Sequence, residues 1–482
     1  MTSSFFTQIG NDIYGEFVGD NSGSSVSLSA DGNVVAIGSP QGNNAGSGYV
    51  FGYLRIYKNE DNTWTQIGSD FEGADVVSLS SDGSVVAVVD SYSGIGIYKN
   101  VNNTWTQIGS DISGGSYYDP FNKVSLSSDG SVVAIGSPST RGNQYHSYQG
   151  NRPNGYVRIL KNVNNTWTQI GSDIDGEATG DESGRSVSLS SDGSVVAIGA
   201  PYNDGNGNDS GHVRIYKNVN DTWTQVGSDI DGKGAYDESG YSVSLSSDGS
   251  VVAIGALYAD YRTDDGYGSI SNTGHVRIYK NVNNNWTQIG SDIYGGAYRD
   301  RMGHSVSLSS DGSVVAIGAP DNYIGGSNGL GDSGHARIYQ NINDTWTQVG
   351  SNIEGSPVIP TKGWDFFGWS VSLSADGSSV AISGPDNDGN GFNSGHVQIY
   401  QITYSTGTTL SELKALAYIA SNPDLINVFG INTSAAATHY INHGISEGRS
   451  FSSFSATDYL AKYSDLASAF GNNETLALQH YI

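Results

Sequence analysis

From Ser186 the chain reads SVSLS, in which small polar residues alternate with apolar ones. That period of two is expected of a strand whose faces meet different surroundings. After the pair Asp192-Gly193, VVAIGAP (Val195 to Pro201) is apolar on both sides, as a strand buried on both faces would be. Asp-Gly suits the positive backbone angles of a tight turn, so these two segments predict a hairpin. GHVRIYK (Gly211 to Lys217) alternates again, with Val213 and Ile215 on one face and His212, Arg214 and Tyr216 on the other. A polar NVND turn then leads into WTQVGSD from Trp223, giving four antiparallel strands in one unit.

The unit returns along the chain. Asp31, Asp82, Asp129, Asp192, Asp248, Asp311 and Asp376 each sit in an SLS-x-DG phrase, spaced by 51, 47, 63, 56, 63 and 65 residues. Periods of this length mean stacked units. Seven four-stranded units predict an all-β fold, a seven-bladed β-propeller, which limits exposed strand edges by radial closure. The first phrase, Phe6-Thr7-Gln8-Ile9-Gly10, is a WTQIG strand with Phe for Trp, and the last unit, Val371 to Tyr400, has no WTQIG after it. The N-terminal strand is therefore expected to complete the C-terminal blade, with the propeller spanning residues 1–401.

Composition agrees: 66 glycines and 30 tyrosines against 2 methionines suit a turn-rich β protein better than a helical one. The net charge of −26 argues against nucleic acid and anionic membrane surfaces as partners, since both would be repelled. With no cysteine the fold must be held by packing, and no apolar run approaches a membrane span. MTSSFFTQIG has neither the basic nor the apolar segment of a signal peptide.

Composition shifts after Tyr400. Residues 402–408 read as a linker, and Thr409-Leu410-Ser411-Glu412 is a capping box that opens a small all-α domain over 409–482. The phrase beginning Tyr418-Ile419-Ala420 returns 41 residues later from Tyr459, and its second copy stops at Ile482, short of the NHGISEGR of the first. The expectation is an array with further copies in the natural protein or its relatives.

Phe367-Gly368-Trp369 in the last unit, with Gly199-Ala200-Pro201 and Gly318-Ala319-Pro320, resembles the phrases of FG-GAP repeats. Those repeats form the seven-bladed propeller of integrin α subunits and of many bacterial surface proteins, and the DG turn before a strand ending Arg-Ile-Tyr is also similar to WD-repeat blades. The tail is similar to helical repeats appended to large secreted bacterial proteins. This likeness implies an extracellular or cell-surface setting, reached without an N-terminal signal. Calcium-binding FG-GAP blades carry a D-x-D-x-D-G-x-x-D loop between the first two strands, whereas the corresponding turns here are SSDG or SADG, too poor in carboxylates for the ion. A different loop holds Asp386, Asp388 and Asn390 in D-x-D-x-N-G order, which reads either as a Ca²⁺ site or as an Asx turn whose side chains serve its own backbone.

Loops joining strands two to three, and one blade to the next, emerge on one face and hold nearly all the length variation, which makes that face the expected seat of recognition. Candidate ligand-binding residues there are Tyr118, Tyr148, Tyr236, Tyr258, Tyr261, Tyr323, Trp364 and Trp369, whose rings among Gly, Ser, Asn and Asp suit a glycan or a protein partner. His212, His275, His335 and His396 repeat at one register and are read as structural hydrogen-bonding residues, and Arg55, Arg158, Arg214, Arg277 and Arg337 as pairing or packing between blades. The titratable residues unique to single blades, His146, His304, Arg299, Arg301, Glu177, Glu182 and Glu238, form no triad or diagnostic carboxylate pair. The expected function is non-catalytic adhesion through the loop face, with the tail attaching to a larger surface assembly. A polysaccharide hydrolase or lyase and an intracellular scaffold stand as alternatives.

Overall fold

The computed structural model describes residues 5–40, 52–90, 94–113, 123–138, 154–262, 269–321, 333–355, 365–404, 412–429, 455 and 480–481. Seven four-stranded antiparallel sheets form the propeller, and in the first six the strands lie side by side in chain order. In blade four they are Ser186–Leu189, Val195–Ala200, His212–Val219 and Thr222–Gln225. The seventh blade takes its outer strand from the other end of the chain: Phe6, Thr7 and Gln8 pair with Ile402, Gln401 and Tyr400. The expected closure is therefore present. In six blades a two-residue strand follows the fourth and pairs again with the third, as Ile230–Asp231 does with Val213 and His212.

The apolar second strand is explained by the cores on either side of it. Val196 and Ile198 pack with Val132, Ala134, Val157 and Ile159 of blade three. Val195 and Ala197, on the other face, pack with Leu245, Val252 and Ile254 of blade five. Each second strand thus serves two inter-blade cores, and each fully buried Val or Ile contributes about 1.5–3 kcal/mol.

Polar parts of the repeat join neighbouring blades. The Leu28 N–H donates to Ser372 Oγ, and Leu79, Leu126, Leu189, Leu245, Leu308 and Leu373 donate to Ser27, Ser78, Ser125, Ser188, Ser244 and Ser307, all at 2.9–3.1 Å. One residue pair further on, backbone N–H groups of Ala30, Ser81, Ser128, Ser191, Ser247, Ser310 and Ala375 each donate to the carbonyl of the next blade, and Ala375 to Ala30 shuts the circle at 2.9 Å. Six tryptophans add an outer link, as when Trp223 Nε1 donates to the Ile170 carbonyl at 2.9 Å. Phe6 takes the Trp register in blade seven.

The two glycines of the FG and GAP phrases meet at the seams. A Cβ on Gly199 would collide with the Gly240 carbonyl, and one on Gly318 with that of Gly368, which itself has φ +93°. Only glycine lets the backbones approach this closely. In the turn between strands three and four, Asn102, Asn164, Asn220 and Asn343 have φ of 51–53°. Asparagine tolerates the left-handed angles that a tight hairpin turn requires.

Chain contacts divide the protein at Thr403 and Tyr404. In the second unit, helix α1 (Glu412–Ser421) and helix α2 (Pro423–Phe429) are described, with Leu416, Tyr418, Ile419 and Leu425 buried. Pro423 opens α2 where its missing N–H costs nothing. The second copy of the tail repeat lies almost wholly outside the described residues. No helix among the described residues is long and apolar enough to cross a membrane.

Candidate functional site

The first strands are innermost, since all seven contribute a leucine to one small cavity of about 160 Å³ at the turn-side end of the central channel. Their opposite ends begin at the loop face, just after the seam glycine. The residue following that glycine is Ser24, Arg185, Tyr241, His304 and Trp369 in blades one, four, five, six and seven, and Asp75 holds this register in blade two. One position thus changes with every blade and lies where the blades converge.

Its side chains touch in sequence around the axis. The Arg185 guanidinium lies over the Tyr241 ring at 5.2 Å, with Nη2 3.4 Å from the hydroxyl. Ring centroids of Tyr241 and His304 are 5.3 Å apart, and those of His304 and Trp369 are 4.4 Å apart. His304 Nδ1 is 3.0 Å from the Trp369 carbonyl oxygen. Burial pushes the His304 imidazole down to about 4, against the pull of that carbonyl, and nearby Lys123, Arg301 and Arg185 push it further. Lys123, from the first strand of blade three, is reached by solvent at the channel mouth. Enclosure by protein and then the neighbouring Arg185 bring its ammonium down to about 8.

A cleft of about 580 Å³ opens between residues 233–238, which lead into blade five, and that blade's own loop through Tyr258 and Asp260. Tyr236, Tyr258 and Tyr294 line it, with Lys233, Asp237, Glu238, Asp260 and Asn272 as polar groups and His275 also in the lining. Tyr236 is 60 % exposed and holds φ +66°, so its ring is presented to solvent by the turn. Asp237 is buried beneath: its carboxylate accepts the Gly234 N–H at 2.8 Å, yet burial still raises its pKa. The Tyr258 ring stacks on Arg301 at 5.1 Å, and Arg301 is ion-paired with Asp321.

Of the residues expected to bind ligand, Tyr236 and Tyr258 share this cleft and Trp369 stands at the axis. Tyr261 pairs with Ile270 in a short added hairpin. Tyr118, Tyr148, Tyr323 and Trp364 lie outside the described residues. Phe367, of the phrase that resembles an FG-GAP repeat, is fully buried against His396, with ring centroids 5.7 Å apart, and fills a seam. Lys123, Arg185 and Tyr241 escaped the sequence reading. Their signal was a single changing letter inside a constant phrase.

The repeated histidines divide. His396 lies between Asp12 and Asp365, 3.3 Å from each, and although burial pushes its pKa down, those two carboxylates carry it up to about 9. His212 Nδ1 is 3.6 Å from Asp229 and 4.0 Å from Glu177, while Arg214 lies 3.6 Å from Glu177. His275 and His335 have no hydrogen-bond partner on either ring nitrogen among the described residues, and burial followed by the adjacent arginine drives both down to about 3. The hydrogen-bonding role expected for all four therefore fails for these two, which are packed as neutral rings. The arginines do pair: Arg158 binds Asp173 through two nitrogens at 2.7 and 2.8 Å, and Arg277 Nη2 reaches across to the Asp231 carbonyl at 2.7 Å.

Glu177, His212 and Asp229 each bring a ligand atom within 4.8 Å of the others. The His–Asp part recurs as His396–Asp12, and in blade five Lys233 pairs with Asp292 at 2.6 Å, so the contact belongs to the blade framework. The Asp386 loop turns inward on itself. Asn387 Oδ1 accepts the Gly389 N–H, Asp388 Oδ1 accepts that of Asn393, and the Asn390 amide donates to the Gly15 carbonyl, at 2.7–2.8 Å. Asp386 accepts from Asn21 at 2.6 Å. These are the hydrogen bonds of an Asx turn whose side chains serve its own backbone.

The stretch from Asp173 to Tyr216, which enters blade four and runs into its third strand, matches the family model described as FG-GAP repeat. No curated protein matches the chain. The matched strand plan recurs in all seven sheets, and the first 403 residues form a seven-bladed β-propeller whose fourth blade is similar to an FG-GAP repeat.

Proposed function

We propose that the protein is a non-catalytic binding module that recognises glycans through its loop face, acting at or outside a cell surface, with the helical tail joining it to a larger assembly. The observation that carries this reading is the cleft of about 580 Å³ in blade five, where the tyrosines at 236, 258 and 294 stand among short polar side chains. Concave sites of that size suit a ligand of a few sugar units better than the broad, flat surface of a protein partner. Tyrosine supplies contact area at low entropic cost, and carboxylates and amides supply hydrogen bonds for hydroxyl groups. The surface setting is supported by the FG-GAP repeat alone, by analogy of fold.

The test is binding of the full chain to an immobilised panel of neutral and acidic glycans, with Tyr236→Ala and Tyr258→Ala beside it. Truncating an aromatic anchor should weaken binding by about tenfold or more, with an unchanged melting transition. Retained affinity in the double variant would remove the cleft from consideration. Cleavage of a bound saccharide would favour the hydrolase or lyase instead.

A further inference from the structure

We propose that the loop-side mouth of the central channel is a subsite for the single carboxylate of an acidic sugar, such as a terminal uronic-acid residue, with Lys123 and Arg185 holding the anion. The proposal deepens the glycan-binding reading and rests on it.

The chain has 48 acidic and 22 basic residues, and four of its five repeated arginines sit close to carboxylates, Arg277 being bound to the Asp231 carbonyl instead. Arg55 is 3.1 Å from Glu16, Arg158 is 2.7 Å from Asp173, Arg214 is 3.6 Å from Glu177 and Arg337 is 3.7 Å from Asp300. Among the described residues, Arg185 and Lys123 have no carboxylate within such a distance; the hydrogen-bond partner of Arg185 is the Tyr241 hydroxyl. Lys123 pairs with Gly136, whose backbone lies against the Gly184 carbonyl, so Lys123 and Arg185 spring from neighbouring positions across one seam; burial and then Arg185 hold the Lys123 ammonium down. Glu182 acts on Arg185 from beyond ion-pair distance, so among the described residues the two cations share one distant carboxylate and the site is short of a counter-charge. A bound carboxylate would relieve their repulsion and accept charge-assisted hydrogen bonds from both.

The neighbours define the rest of the ligand. Tyr241, His304 and Trp369 make a continuous run of rings from the guanidinium across the mouth, with centroid spacings of 5.3 and 4.4 Å. His304 is held neutral well below physiological pH and so contributes a flat face rather than a third cation. A pyranose carrying a carboxylate matches this pairing of cation and aromatic platform. An acidic peptide offers the anion without a rigid ring to lie on the platform.

The same charges set an upper limit on the ligand. At physiological salt the two cations act only within about 8 Å, and a longer polyanion must also lie against the rest of a surface whose net charge is −26. A ligand with one carboxylate gains the local attraction; a polymer charged at every sugar meets the repulsion.

Calorimetry on the full chain decides the matter. The probes are a short oligosaccharide ending in glucuronic acid, its carboxyl-reduced neutral counterpart, polyglucuronate and a glutamate-rich peptide. The acid-terminated sugar should bind about tenfold tighter than the reduced form, the worth of a charge-assisted contact, and polyglucuronate should bind more weakly per site. Lys123→Gln and Arg185→Gln should each erase that preference while leaving neutral-sugar binding and a cooperative melting curve in place. Equal binding of acid and reduced forms would overturn the proposal and leave glycan recognition standing. So would an acid preference that survives in the double variant, or equal competition by the peptide. Failure of every saccharide to bind would overturn both readings.

Discussion

At its turn-side end the central channel is lined by Leu28, Leu79, Leu126, Leu189, Leu245, Leu308 and Leu373, one chemistry repeated around the axis. At its loop-side end the same strands begin with residues as different as Ser24, Arg185, Tyr241, His304 and Trp369. The difference follows from what each end must do. A ring of hydrogen bonds from each Leu N–H to the preceding blade's Ser closes only if every blade offers the same donor and acceptor, so one altered copy opens the circle. No such reciprocity binds the loop-side residues, and recognition of an asymmetric ligand gains from their being unlike.

The strongest way to break the comparison is to open the ring itself. Deleting residues 1–10 removes the strand that pairs Phe6 to Gln8 with Tyr400 to Ile402 and leaves the third strand of blade seven unpaired over that stretch. The expected loss is on the order of 5 kcal/mol or more, comparable with the whole stability of an ordinary domain. Thermal melts and size-exclusion profiles would show a broad transition and aggregation through the open edges. A truncated chain that melts as sharply as the parent would mean that closure does not hold the turn-side end together.

A second test asks whether the loop side can vary in behaviour even where its residues are identical. His396 has a folded pKa near 9 against an ordinary 6.5, so its contribution is complete below the unfolded value and is lost as pH rises from 6.5 through about 9. Asp12, its partner, follows the N-terminal strand, so this pair ties the closing blade shut. His275 is depressed to about 3; the unfolded chain takes up the proton first, and stability falls as pH drops below 6.5 toward 3. Urea unfolding across pH should show His396→Gln losing on the order of 1–3 kcal/mol at neutral pH and little above pH ~9. His275→Gln should instead flatten the acid limb. Identical pH profiles for the two variants would contradict the assigned surroundings.

Much of this was legible in the sequence because symmetry leaves a trace in every copy. The strand order, the hairpin turns, the closure by Phe6 to Gln8 and the pairing of the repeated arginines all follow from phrases that recur. What the sequence hid was the fate of individual members of a repeat. His396 and His335 share a register, but Asp12 and Asp365 flank one while Asn352 stands in the equivalent place to Asp12 beside the other, a difference that depends on partners far away in the chain. Asp20, Asp181, Asp237 and Asp300 stand at one register of the segments that enter their blades, yet the sequence alone does not tell that these carboxylates are buried and accept backbone N–H groups. Attention to long loops also drew the eye from Lys123, Arg185 and Tyr241, which sit inside the most constant phrase of the chain.

The smallest expected effects sharpen the comparison most, because they come from two residues three apart in one blade. Ser188 Oγ accepts the Leu245 N–H at 3.0 Å in the Ser–Leu ring, and Arg185 lies at the mouth just before the same strand. Ser188→Ala leaves a buried N–H without its acceptor and should cost about 1–3 kcal/mol. Glycan affinity should not change, since nothing at the loop face has moved. Arg185→Gln removes a cation from beside Lys123 and its contact with the Tyr241 ring, and should alter stability by about 0.5–1 kcal/mol, while abolishing preference for the acidic sugar. Chemical denaturation and calorimetry on both variants give four numbers. The division of labour along one strand requires that the large change in stability belong to Ser188 and the large change in binding to Arg185; the reverse assignment, or both changes in one variant, would show that the two ends of the channel are not separable.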